Sequence, residues 1–144
     1  MSAVHSHDRN GASADALAPK IQVISSVPAP PVPDNAEAMT IFVTLPPGSP
    51  GAPAHRHPGP AFGYVIKGEV SFEVEGEPPR VVKAGEAFWE PGGDVIHYHD
   101  ANNLPDAETA FVVTMFGVPG QELVNPVSTE ELEQRRDRRV PRPA

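Results

Sequence analysis

Nineteen prolines and twelve glycines are spread over 144 residues, and this density constrains the fold more than any other feature of the chain. Proline removes a backbone donor and fixes φ, while glycine supplies turns, so long helices do not survive such punctuation. The segments between the breaks are β-branched and aromatic. Ala38–Leu45 (AMTIFVTL) stops at Pro46-Pro47-Gly48, and Val70, Phe72 and Val74 alternate with Ser71, Glu73 and Glu75. Alternation of period two marks a half-buried strand. Further strands are expected at residues 21–27, 51–57, 62–67, 80–83, 86–90, 95–100 and 107–116. Eight or more short strands with a turn about every 8–12 residues describe an all-β sandwich or barrel.

The length fits one domain. Residues 1–19 read as a leader without regular structure, residues 20–127 as the barrel, and residues 128–144 as a charged tail. In the tail, Ser128-Thr129-Glu130-Glu131 has the form of a capping box, with a short helix expected over 130–138. Five arginines against four carboxylates make the tail +1 out of a total of −8, leaving the body at −9. An acidic body repels polyphosphate, so nucleic acid is not expected as a partner, and the arginines read as a solvated helix face. No apolar stretch approaches the ~20 residues needed to span a bilayer. The first eighteen residues lack the apolar core of a secretory signal. A cytoplasmic location is the expectation, with no membrane partner. There is no cysteine, so thiolate sites and Cys nucleophiles are excluded, and histidine and carboxylate remain as strong metal ligands. No serine stands in a nucleophile-elbow motif, and no helix follows the glycines to make a phosphate loop.

Six histidines fall in three His-x-His pairs, at 5/7, 55/57 and 97/99. On a strand, residues i and i+2 share a face, so one pair can offer two imidazoles to one metal ion. His5 and His7 lie in the leader, where no scaffold holds them, and read as surface. The other two pairs lie at strand segments bracketed by turns. Burying several imidazoles without partners would cost on the order of 1–3 kcal/mol each, a cost that a bound metal removes.

The run His55-Arg56-His57-Pro58-Gly59-Pro60-Ala61 through Gly68 resembles the first motif of the cupin family, G-x5-H-x-H-x3-4-E-x6-G. The run Gly85-Glu86-Ala87-Phe88-Trp89-Glu90-Pro91-Gly92-Gly93 through His97 resembles the second, G-x5-P-x-G-x2-H-x3-N. The likeness covers about residues 36–118 and implies a double-stranded β-helix, or jelly-roll barrel, with a short C-terminal helix. It also implies metal ligation by His55, His57 and His97 around a divalent ion: iron, manganese, nickel, copper or zinc. Two departures stand out. The family's ligand glutamate falls on Ala61, and one residue is added between Gly93 and His97, so that Asn102 stands in for the final Asn.

Strand alternation places His99 on the face of His97, where a fourth ligand, a general base and a pocket hydrogen bond are all open, as is plain surface exposure. Glu90 shares a strand face with Phe88. In an apolar pocket its pKa would rise, suiting acid/base work; the other reading is a rim salt bridge. The expected function is a metal-dependent small-molecule enzyme acting on a carbonyl- or enol-type substrate, by dioxygenase or isomerase/cyclase chemistry, with His99 and Glu90 as candidates for proton transfer. The alternative is a non-catalytic cupin that binds metal or a small ligand. A homodimer is expected from the need to cover sheet edges.

Overall fold

The computed structural model describes residues 14–142. His5, His7 and most of the expected leader lie outside the described residues. A single helical turn, α1 (Ala14–Leu17), is followed by nine strands: β1 (Glu37–Leu45), β2 (His55–Arg56), β3 (Ala61–Lys67), β4 (Glu69–Val74), β5 (Arg80–Lys83), β6 (Ala87–Glu90), β7 (His97–Asn102), β8 (Thr109–Gly117) and β9 (Asn125–Pro126). The strands form two antiparallel sheets, in the orders β1-β8-β3-β6 and β5-β4-β7-β2-β9. Among the described residues, no helix is long and apolar enough to cross a membrane.

The alternation read along residues 69–75 now has a physical basis. Val70, Phe72 and Val74 enter a core shared with Leu45, Val65, Val82, Phe88, Phe111, Val113 and Met115, all buried. β1 and β8 pair over nine residues, from Glu37 opposite Gly117 to Leu45 opposite Thr109, and tie the ends of the barrel together. Asn102, which stands in for the last Asn of the second motif, pins the far end of β7. Its amide donates to the carbonyls of Leu45, Pro46 and Ala107 (3.2, 2.9 and 2.8 Å), and its Oδ1 accepts from Thr109 Oγ1 at 2.7 Å.

Two expectations are corrected. Residues 21–27 form no strand; Ile21 and Val23 are 90% and 77% exposed, and the apolar run has no ladder partner among the described residues. The tail is a solvated face only in part. After α2 (Thr129–Gln134), capped by Ser128 Oγ accepting from Glu131 N–H, comes a 3₁₀ turn over Arg136–Arg138, and the arginines fold back on the five-stranded sheet. Arg135 pairs with Glu75 and Asp94. Arg139 pairs with Glu73 at 2.6 Å and lies 4.4 Å over the Tyr98 ring. Arg142 also reaches Glu73, at 3.2 Å. Glu73 and Glu75 lie on the polar face of an alternating strand, and the tail provides the cations that let that face be covered. Arg136, Arg138 and most of the Arg142 side chain stay exposed.

Candidate metal centre

β2 is only two residues long, yet the register places its histidine with care. His55 stands directly opposite His97 in the β2–β7 ladder, so both side chains enter the barrel on one face. His57 follows two residues later. Its carbonyl accepts from Gly93 N–H at 2.8 Å, which ties it to the turn between β6 and β7. Gly92 in that turn has φ +70° and presses on the backbone of Gly59, leaving no room for a Cβ.

His55, His57 and His97 are all buried, and one nitrogen from each lies within 4.8 Å of the others. That is the scale set by nitrogen atoms each about 2.1 Å from one ion. The hydrogen bonds fix which atoms face inward. His55 Nδ1 donates to the Pro53 carbonyl at 2.7 Å, and His57 Nδ1 donates to the Leu123 carbonyl at 2.8 Å. Each neutral ring is then left with a bare Nε2, and these two atoms lie 3.1 Å apart. Facing lone pairs require a cation between them, a proton or a metal ion. A backbone carbonyl behind each imidazole is the usual support of a metal-binding histidine. His97 goes further: neither of its buried ring nitrogens has a hydrogen-bond partner. The donor set therefore fits a divalent metal.

Glu90, at the end of β6 in the opposite sheet, completes the cluster. It is 4% exposed, with Oε1 2.5 Å from His57 Nε2 and Oε2 2.6 Å from His97 Nδ1. The second approach is not aligned as a hydrogen bond, and Oε2 has no partner. Glu90 is thus neither a rim salt bridge nor a carboxylic acid held neutral by apolar walls. Burial pushes its pKa up, but the neighbouring imidazoles of His57 and His97 outweigh burial and bring it down to about 2. Burial also disfavours the charged form of His55, whose pKa is lowered. At His57 burial acts the same way, but Glu90 prevails and the pKa is raised.

These side chains border a cavity of about 120 Å³, whose walls include Val43, Phe72, Phe88, Phe111 and Met115. Asp100 also lines it, although its Oδ1 is engaged by Ala52 N–H at 2.9 Å. His99 does not. The β4–β7 ladder shifts between Glu73 and Val74, which oppose His99 and His97 respectively. Tyr98 is the extra residue of a bulge, and a bulge reverses the alternation beyond it. His97 and Asp100 therefore face the cavity, while His99 lies on the outer side with Glu73, Arg80 and Arg142. Sequence reasoning missed Asp100 for the same reason that it misplaced His99.

Two sheets closed over a histidine-lined pocket define a double-stranded β-helix with a candidate metal centre. The family model described as cupin domain matches residues 41–115, more than half of the chain, and the protein belongs to the cupin family. Solved structures of the same fold include a conserved protein with a double-stranded β-helix domain from Klebsiella pneumoniae (20% identity, TM-score 0.48, covering 65% of this chain and 77% of that one). Oxalate oxidase in complex with the substrate analogue glycolate is 27% identical, with a TM-score of 0.50, over 69% of this chain and 56% of its own length. An RmlC-like cupin from Shewanella frigidimarina is 25% identical, with a TM-score of 0.48, over 58% and 69%. A comparison with curated proteins finds no match.

Proposed function

We propose that this barrel is a metal-dependent enzyme that acts on a small oxygen-bearing substrate of carbonyl or enol type, by dioxygenase or isomerase/cyclase chemistry. His55, His57 and His97 hold the ion, one of iron, manganese, nickel, copper or zinc. The carrying observation is the set of buried nitrogens on these three rings that face one another without protein donors between them. Bound there, a divalent cation supplies Lewis acidity or, if redox-active, electron transfer. The chain's own part is to fix the ring tautomers through Pro53 and Leu123, to exclude water with aromatic and aliphatic walls, and to leave a small cavity beside the ion. A cavity of about 120 Å³ suits a ligand of few atoms, and the likeness to an oxalate oxidase holding glycolate supports a small organic acid. His99, outside the cavity, has no part in this reading.

Metal analysis of untagged protein purified without chelator tests the site. About one equivalent of one transition metal, lost in His97→Ala, supports it; no metal and no uptake on titration overturns it. The narrow cavity also favours a second reading, a non-catalytic barrel that retains metal or a small ligand. Oxygen-uptake and NMR assays of the metal-loaded protein with small hydroxy and keto acids separate the two readings. We further propose a homodimer, supported by apolar side chains left exposed on the four-stranded sheet, including Phe42 and Ile66 (62% and 47% exposed). A monomeric mass by light scattering would sink this part.

A further inference from the structure

We infer that Glu90 is a fourth ligand of the metal, supplied from the sheet opposite the histidines. This inference rests on the metal reading above and deepens it. The position of Glu90 relative to His57 decides the matter. His57 Nδ1 is committed to the Leu123 carbonyl, so Nε2 is the atom this ring offers to an ion. Glu90 Oε1 lies 2.5 Å from that same Nε2. A carboxylate that merely oriented the imidazole would stand behind the ring, at Nδ1, where Leu123 already stands. Glu90 instead enters on the side of His57 that the ion must occupy, and its other oxygen lies 2.6 Å from Nδ1 of His97, a ring on which no hydrogen bond commits either nitrogen.

The surroundings agree with this role. Glu90 is buried, and the ion-pair contacts it makes among the described residues are with His57 and His97, with no lysine or arginine taking part. A buried carboxylate is expensive unless a charge balances it, and a metal ion at the three rings is the cation this pocket is built to take. Room for the side chain comes from across the strand ladder. Ala61 stands directly opposite Glu90 in the β3–β6 pair and is 1% exposed. Cross-strand partners share a face, and at that position this chain places only a methyl group beside Glu90. Ala61 is also the position that the motif resemblance assigns to a carboxylate, so this chain carries the group one strand over, on the same face.

A carboxylate changes which ion the site prefers. Three imidazoles suit copper, nickel and zinc, whereas an added carboxylate favours harder ions such as manganese. The test is calorimetric titration of metal-stripped, untagged protein with Mn(II) and, separately, Cu(II), on wild type, Glu90→Gln, Glu90→Ala and the double variant Ala61→Glu/Glu90→Ala. The expected result is a loss of Mn(II) affinity of at least about tenfold in both single variants, a smaller loss for Cu(II), and recovery of Mn(II) affinity in the double variant. Glu90→Gln keeps the shape of the side chain, so its result stands even if Glu90→Ala folds poorly. Equal losses for both ions, without recovery in the double variant, would make Glu90 a positioning residue for the imidazoles and overturn the assignment. Unchanged Mn(II) affinity in both single variants would overturn it as well, while leaving the three-histidine site standing. A wild-type protein that takes up neither ion would remove the site and this ligand together.

Discussion

Glu90 and Glu73 are buried to almost the same degree, at 4% and 1% exposure, on opposite sides of the barrel wall. Glu73 faces outward, and the guanidinium groups of Arg139 and Arg142 close over it. Its counter-charges are permanent, carried by the same chain, and satisfied without any additional species. Glu90 faces inward, toward imidazoles whose charge depends on protonation, and one of its oxygens has no hydrogen-bond partner. The first carboxylate is part of the structure's own closure. The second is left incomplete by the chain, and an incomplete buried charge among lone pairs is the physical signature of a place for an ion.

This contrast can be broken or sharpened by experiment. The largest effect is expected from His97→Ala, which removes a ring with two unpartnered nitrogens. Metal affinity should fall by more than about 100-fold, beyond the 10–100-fold typical of losing an outer-shell partner; a loss below tenfold by calorimetry would place the ion elsewhere. Next, saturating metal, bound only on the inward side, should stabilise the fold. At a free concentration 100 times Kd the gain is about 2.7 kcal/mol, seen as a Tm rise of roughly 5–11 °C at about 2–4 °C per kcal/mol.

Arg139→Ala acts on the outward side. It should cost about 2 kcal/mol in denaturant unfolding, less than the 3–5 kcal/mol of a fully buried pair, because Arg139 is 40% exposed and Arg142 remains. Metal affinity should not change, and a coupled loss of both would erase the distinction between the two carboxylates. The pH dependence follows from Glu73. Its pKa is lowered chiefly by the hydrogen bonds from Arg139, against burial. A depressed carboxylate contributes stability that is full above its ordinary value of 4.5 and is lost as pH falls through the lower folded value. Acid unfolding should therefore begin at higher pH in Arg139→Ala than in wild type. The smallest effect is expected from Ser128→Ala, about 0.5–1 kcal/mol from the lost α2 cap, with circular dichroism melting as the readout.

Proline and glycine punctuation and period-two alternation were enough to place most strands, because these are local properties of the chain. The His55, His57 and His97 trio was legible because two motifs fixed both residue type and spacing. The shared face of Phe88 and Glu90 was also readable by alternation, and both are buried against the cavity. His99 was not, because the bulge at Tyr98 is set by the pairing of β7 with β4, where His97 meets Val74 from 23 positions earlier, with β5 and β6 between. The fate of the arginines was hidden for a related reason. A capping box announces the helix, but nothing local announces that Glu73 and Glu75 wait on a sheet more than fifty positions earlier. The lowered pKa at Glu90 depends on two imidazoles that only the register brings together.

The segment after Gly117 also decides when the pocket can be finished. Leu123 fixes the His57 ring, β9 pairs with both residues of β2, and Glu131 of α2 binds Arg56, the residue between His55 and His57. All three candidate histidines are translated before any of these supports. Of the two strands that pair with β2, which carries His55, one, β9, belongs to the last quarter of the polypeptide. A metal ion at these rings would be fully framed only once these late residues are in place, and a chain stopped before them would carry the histidines without the frame that aims them.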